Sequence, residues 1–149
     1  LNDSVGGVDV VSPETIGDFV EGESYHLVGQ QAESFVRTRD TSKVDSNNMR
    51  MQRQKVYIQS FMNTVLQQTK KDLTTPLDLF NASAPYSCTN LNPSKVTYLA
   101  QQAVLGGMNG IDMLSVPGQV KMGSKYAEFN VSEAEFYQMF LSIYYTKIE

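Results

Sequence analysis

The sequence predicts an α/β fold, a sheet with helices on both faces. Three observations predict it. Strand-like runs bounded by turn residues occur early and late in the chain, at 8–11 and beyond 110. Between 48 and 71 the apolar residues Ile58, Phe61, Met62, Val65 and Leu66 recur at i, i+3, i+4, i+7 and i+8, one stripe of a long helix. Helix-start signatures at Thr75-Pro76, Asn92-Pro93 and Ser132 then interleave with further strand-like runs. Helices alternating with strands define the class.

Taken in order, Gly6-Gly7 is a tight turn into a strand Val8-Asp9-Val10-Val11, closed by Ser12-Pro13. No GxGxxG or GxxxxGK pattern surrounds the glycine pair, so the turn reading outweighs a phosphate loop. Tyr25-His26-Leu27 is a short extended piece, and Gly29-Gln30 starts a brief helix through Ala32 and Phe35. Thr38 to Ser46 is polar and reads as a loop before the long helix. Thr75 is the expected N-cap of the next helix, with Pro76 at its first position, and Tyr86 to Asn90 suits a short strand. Asn92-Pro93 opens a helix to about Leu105, ended by Gly106-Gly107. Ile111–Val116 and Val120–Phe129 read as strands joined by a Pro117-Gly118 turn. Ser132-Glu133-Ala134-Glu135 is a capping box for a last helix whose Phe136, Met139, Phe140, Ile143 and Tyr144 should face a core.

Composition narrows the function. At 149 residues and 41% hydrophobic content the chain can form one domain with a core. A net charge of −4 argues against a general nucleic-acid binder, which needs a broad basic surface. No apolar run is long enough to span a bilayer, and no signal-peptide pattern is present. The chain starts at Leu1-Asn2-Asp3 without Met and is expected to be a processed chain or a fragment. Cys88 is alone, so it cannot form an intrachain disulfide, and a buried strand position suits it better than a nucleophilic role. A single His26 with no serine or cysteine partner argues against a hydrolase triad. The Asn-x-Ser sequons at Asn2, Asn81 and Asn130 are explained by chance.

The chemistry-bearing segment is Arg37-Thr38-Arg39-Asp40, followed by Asp45, Asn47, Arg50, Arg53 and Gln54, a basic cluster on an acidic protein. In an extended segment Arg37 and Arg39 would leave on one side. Arg50, Arg53 and Gln54 share a helix face. Guanidinium forks bind phosphate oxygens bidentately, and the first turn of a helix also favours an anion. Arg50, Gln54 and Tyr57 border the core-facing stripe rather than opposing it. A phosphate or pyrophosphate site is one reading; a solvated loop followed by a surface helix is the other.

The same residues carry a resemblance. Gly6-Gly7-Val8-Asp9-Val10, then Gly29-Gln30-Gln31-Ala32 leading into Arg37-Thr38-Arg39, then Arg50-Met51-Gln52-Arg53-Gln54, resemble the LytR-CpsA-Psr family in the same order along nearly the whole chain. The resemblance implies an α-β-α domain, a mixed sheet sandwiched between helices, with an apolar channel for a polyprenyl chain. It implies a phosphotransferase on the extracellular face of a bacterial cytoplasmic membrane. Such an enzyme moves a teichoic acid or capsular glycopolymer from a polyprenyl pyrophosphate carrier to peptidoglycan. Arg37 and Arg39 match its R-x-R, and Arg50 and Gln54 match its helix-start Arg and Gln, which the resemblance makes the catalytic residues; Arg53, Asp45 and Asn47 join them in binding substrate.

Two departures qualify the match. The motif Asp position is Asn47, so Asp45 is a second candidate to orient Arg50. The resemblance also takes residues 1–149 as the C-terminal portion of the domain, with Mg²⁺ ligands, a further arginine and a membrane anchor upstream. No metal ligand is assigned to this chain. The alternative function is a non-catalytic module that binds polyprenyl phosphate or another anion as a regulator. Two structural expectations follow: Arg37, Arg39, Arg50 and Gln54 converge, and the long helix lacks partners on part of its apolar face.

Overall fold

The computed structural model describes residues 1–43 and 45–145. Val44, inside the expected loop, lies outside the described residues. The fold is α/β. Strand β1 (Val8–Val11) pairs antiparallel with β2 (Ser24–Leu27), placing Val8 opposite Leu27 and Asp9 opposite His26. Helices α1 (Gly29–Arg37) and α2 (Ser46–Lys71) follow, then α3 (Thr75–Ser83) and α4 (Pro93–Leu105). A second antiparallel ladder, β3 (Gly118–Met122) with β4 (Ala127–Val131), precedes α5 (Glu133–Tyr144).

The core lies where the β1–β2 hairpin meets α1 and α2. Val8 and Val10 alternate inward along β1. They pack with Val5, Phe19, Leu27, Ala32 and Phe35. Phe35 has no exposed surface and meets Phe19 edge-on at 5.0 Å. Tyr57, Phe61 and Val65 of α2 close this cluster from above. Gly7 can only be glycine: its φ is +93°, and a Cβ there would sit 2.6 Å from His26 Nε2. The N-terminus of α1 is capped from outside the helix, Gly29 N–H donating to Asp3 Oδ1 at 2.7 Å. That bond is the main reason the Asp3 carboxyl is held below its ordinary range.

The later half of the chain departs from expectation in several places. Tyr86 to Asn90 is not a strand: Ala84–Tyr86 form a 3₁₀ turn extending α3, begun by Pro85, which has no N–H for a ladder. Cys88 is accordingly exposed, not buried in a strand. Ile111–Val116 forms no strand, and no segment among the described residues pairs with it. The hairpin turn lies at 123–126, closed by Gly123 N–H to Tyr126 O at 2.9 Å, and Gly118 begins β3 rather than making the turn. A Cβ on Gly118 would fall 2.4 Å from Asn130 O, so close strand approach explains the glycine.

Helix starts shift by little. Thr74, not Thr75, is the N-cap of α3, while Asn92 Oδ1 caps α4 as expected by accepting from Lys95 N–H at 2.9 Å. Ser132 is the N-cap of α5, but its hydroxyl makes no capping bond. The apolar face of α5 does not meet a core: Phe136 and Phe140 are each 40% exposed and Ile143 49%. No described element packs broadly against α5, which leaves Phe140 and Tyr144 against each other, ring centroids 4.7 Å apart and planes tilted by 42°. On α2, Leu66 is buried, yet Ile58 and Met62 remain exposed, so part of its apolar stripe is uncovered as expected. No helix among the described residues is long and apolar enough to cross a membrane.

Candidate functional site

The first turns of α2 and the segment leaving α1 form one polar constellation. Arg39, Arg50 and Gln54 each bond to groups at the start of α2 or the end of α1, whereas Arg37 turns away. It is the last residue of α1, still helical, and its guanidinium turns back to Glu33 one turn earlier. Extended backbone begins only at Thr38, so Arg37 and Arg39 do not leave on one side. Arg39 crosses to α2, its Nε donating to Ser46 Oγ at 3.0 Å, and Ser46 is buried.

Arg50 Nη2 donates to Asn47 Oδ1 at 2.8 Å. The residue at the motif Asp position therefore orients Arg50 although it is an amide, and Asp45 gives Arg50 no hydrogen bond among the described residues. Asp45 sits instead at the N-cap of α2, beside its positive dipole end. Gln54 Nε2 donates to Val36 O at 3.1 Å. Arg53 has no exposed surface: Nη1 donates to Glu14 Oε1 at 2.8 Å and Nη2 to the Thr38 carbonyl. Burial lowers the Arg53 pKa, Glu14 opposes that shift, and the nearby Arg50 charge adds to it.

The guanidiniums of Arg50 and Arg53 thus stand close together, and their enclosed Nε–H groups lack an acceptor among the described residues. A buried donor left unpaired is unfavourable by about 1–3 kcal/mol. An anion beside Arg50 would offset the repulsion between Arg50 and Arg53 without touching the enclosed Arg53.

Farther along α2 the surface turns apolar. Met62, Val65 and Leu66 line one wall of an open groove of about 280 Å³, facing Leu99 and Ala103 of α4 and Ile111. Gln54 and Val65 lie three helical turns apart on one face, roughly 16 Å along the axis. The polar constellation and the groove therefore lie at different levels of the same helix. Glu14 is the site residue that sequence reasoning missed, and no spacing signal ties it to Arg53.

A folded site of this kind, guanidiniums at one end of a helix and an apolar groove at the other, suits a ligand with an anionic head and an apolar tail. The model of the LytR_cpsA_psr family matches residues 1–142, and the chain belongs to that family. Among solved structures it is similar to TagV of B. subtilis, at 19% identity and a TM-score of 0.61 over 98% of this chain and 60% of that one. TagU of B. subtilis aligns at 19% identity and a TM-score of 0.58 over 99% of this chain and 61% of that one. Lin1025 of Listeria innocua aligns at 22% identity and a TM-score of 0.60 over 94% and 62%. These likenesses show the fold; the chain spans about 60% of the length of TagV. No curated protein matches.

Proposed function

We propose that this chain forms part of a phosphotransferase of cell-wall assembly, attaching an anionic glycopolymer (teichoic acid or capsular polysaccharide) to peptidoglycan. The donor is a polyprenyl pyrophosphate-linked polymer, and the site of action is the extracellular face of the bacterial cytoplasmic membrane. One observation carries the reading: Arg39 and Arg50 gather at the start of α2, and an apolar groove opens farther along the same helix, a polar and an apolar region such as an amphiphilic pyrophosphate requires. Family membership supports the cell-wall role. The reading also takes residues 1–149 as the C-terminal portion of the domain, the uncovered faces of α2 and α5 packing against the rest.

In the proposed reaction an acceptor hydroxyl attacks the phosphorus that bears the polymer. The bond from that phosphorus to the bridging oxygen breaks, polyprenyl phosphate leaves, and the hydroxyl proton passes to a base. Negative charge grows on the nonbridging and leaving oxygens, and fixed cations stabilise it. Arg39 and Arg50 are assigned this role, supported by the bond with which Asn47 orients Arg50. Gln54 braces the backbone beside them, and Arg37, mostly exposed, is free to leave Glu33 for a second phosphate oxygen. His26 is not the base, since both ring nitrogens already face acceptors. Among the described residues no group of three or more His, Cys, Asp or Glu side chains is placed to hold a metal ion. No Mg²⁺ ligand is therefore assigned here, and no step is routed through that ion.

The test is transfer from a lipid-linked pyrophosphate donor by the longer natural protein. Arg39→Ala and Arg50→Ala should each lower kcat/KM by roughly 10- to 150-fold, the kinetic equivalent of one charge-assisted hydrogen bond. Donor binding without turnover in the unmodified protein would favour a regulatory binding module, and full activity in both variants would reject the site.

A further inference from the structure

Arg53 is the largest side chain enclosed in the molecule, and the chemistry above does not use it. Its fork joins two segments that are distant in sequence. On one side lies Glu14, only 8% exposed, in the connection between β1 and β2. That connection is itself pinned where Ser12 Oγ donates to the Glu14 carbonyl at 2.7 Å. On the other side lies the carbonyl of Thr38, the residue between Arg37 and Arg39. Gln54, next on α2, holds Val36 O, so consecutive residues of one helix grip the backbone before and after Arg37.

We propose that Glu14, acting through Arg53, is a positioning residue for the anion site. The carboxylate fixes Nη1, and because the guanidinium is planar this aims Nη2 at the Thr38 carbonyl. With that peptide held, Arg39 leaves the chain in the direction that reaches Ser46 and the first turn of α2. The Glu14–Arg53 pair is neutral as a unit and enclosed, so neither side chain touches the ligand. The role rests on the anion-site reading and extends it to residues away from the phosphates.

The test uses farnesyl pyrophosphate and farnesol, one bearing the anionic head and the other only the apolar tail, titrated calorimetrically into the full chain. Glu14→Gln keeps the shape but removes the charge that orients Arg53. It should weaken farnesyl pyrophosphate binding about tenfold and leave farnesol binding unchanged. In an Arg39→Ala background the same substitution should have no further effect, because the group it positions is gone. Additive losses, equal losses for both probes, or an unchanged affinity in Glu14→Gln would overturn the positioning role. Should Glu14→Gln fail to fold, Arg53→Lys carries the same arms, since one ammonium cannot reproduce the two-sided fork. If Arg39→Ala alone leaves farnesyl pyrophosphate affinity intact, the anion site itself fails and takes this role with it. An effective Arg39→Ala beside a silent Glu14→Gln rejects the positioning role only.

Discussion

Glu14 and Arg53 stand 39 positions apart in sequence and meet at 2.8 Å in the interior, the carboxylate of a loop against the guanidinium of a helix. Their side chains are 10% and 0% exposed, so solvent screens the pair weakly. Glu14→Ala should therefore destabilise the fold by about 3–5 kcal/mol, because it leaves a buried charge uncompensated. The double change Glu14→Leu with Arg53→Met removes both charges and should lose less, about 1–3 kcal/mol, for the Thr38 carbonyl left without its donor. Urea denaturation of the single and double variants checks the order; a double variant less stable than Glu14→Ala would contradict it.

His26 supplies a pH dependence. Its Nδ1 lies 2.8 Å from Asp9 Oδ1 and its Nε2 lies 3.0 Å from Gly6 O. A neutral imidazole has one N–H and cannot donate to both, so the geometry calls for the imidazolium. The hydrogen bond to Asp9 is the main cause that raises the His26 pKa above its ordinary 6.5, the Gly6 bond adding to it. A group raised on folding contributes stability that is full below about pH 6.5 and is lost as pH rises through the folded value. An NMR titration should place His26 above 6.5 and Asp9→Asn should bring it down; an unmoved midpoint in Asp9→Asn would count against the clasp.

Stability should also be unequal along the chain. Phe35→Ala opens a cavity against Phe19 and should destabilise by about 3–5 kcal/mol. Leu105 is 80% exposed, and Leu105→Ala should change stability by no more than about 0.5 kcal/mol. Thermal unfolding followed by circular dichroism separates the two, and comparable shifts would contradict the placement of the core.

Local signals made several elements of the fold legible. The alternation of Val8 and Val10 marked β1, Gly29 marked the start of α1, and the Asn92 cap marked α4. Strands without a partner were not legible: Ile111–Val116 has strand composition, but a ladder is a property of two segments and none lies beside it. The apolar face of α5 misled in the same way, since periodicity reports a face and not what meets it. Within the site, the partner of Arg50 was open between Asp45 and Asn47, and the first turn of α2 gives it to Asn47. Arg37 did not follow from R-x-R, yet Glu33 four residues earlier was the signal for its direction. Glu14 carried no signal at all, because its partner is set by tertiary packing. The Asp9–His26 contact became readable only once the β1–β2 register was known.

The most direct measurement of the central claim is a crystal structure of the protein with farnesyl pyrophosphate bound. Phosphate density should lie within hydrogen-bond reach of Arg39 and Arg50, and the isoprenoid should run along α2 into the groove lined by Met62, Val65 and Leu66. Phosphates bound away from both arginines, or a tail outside that groove, would contradict it.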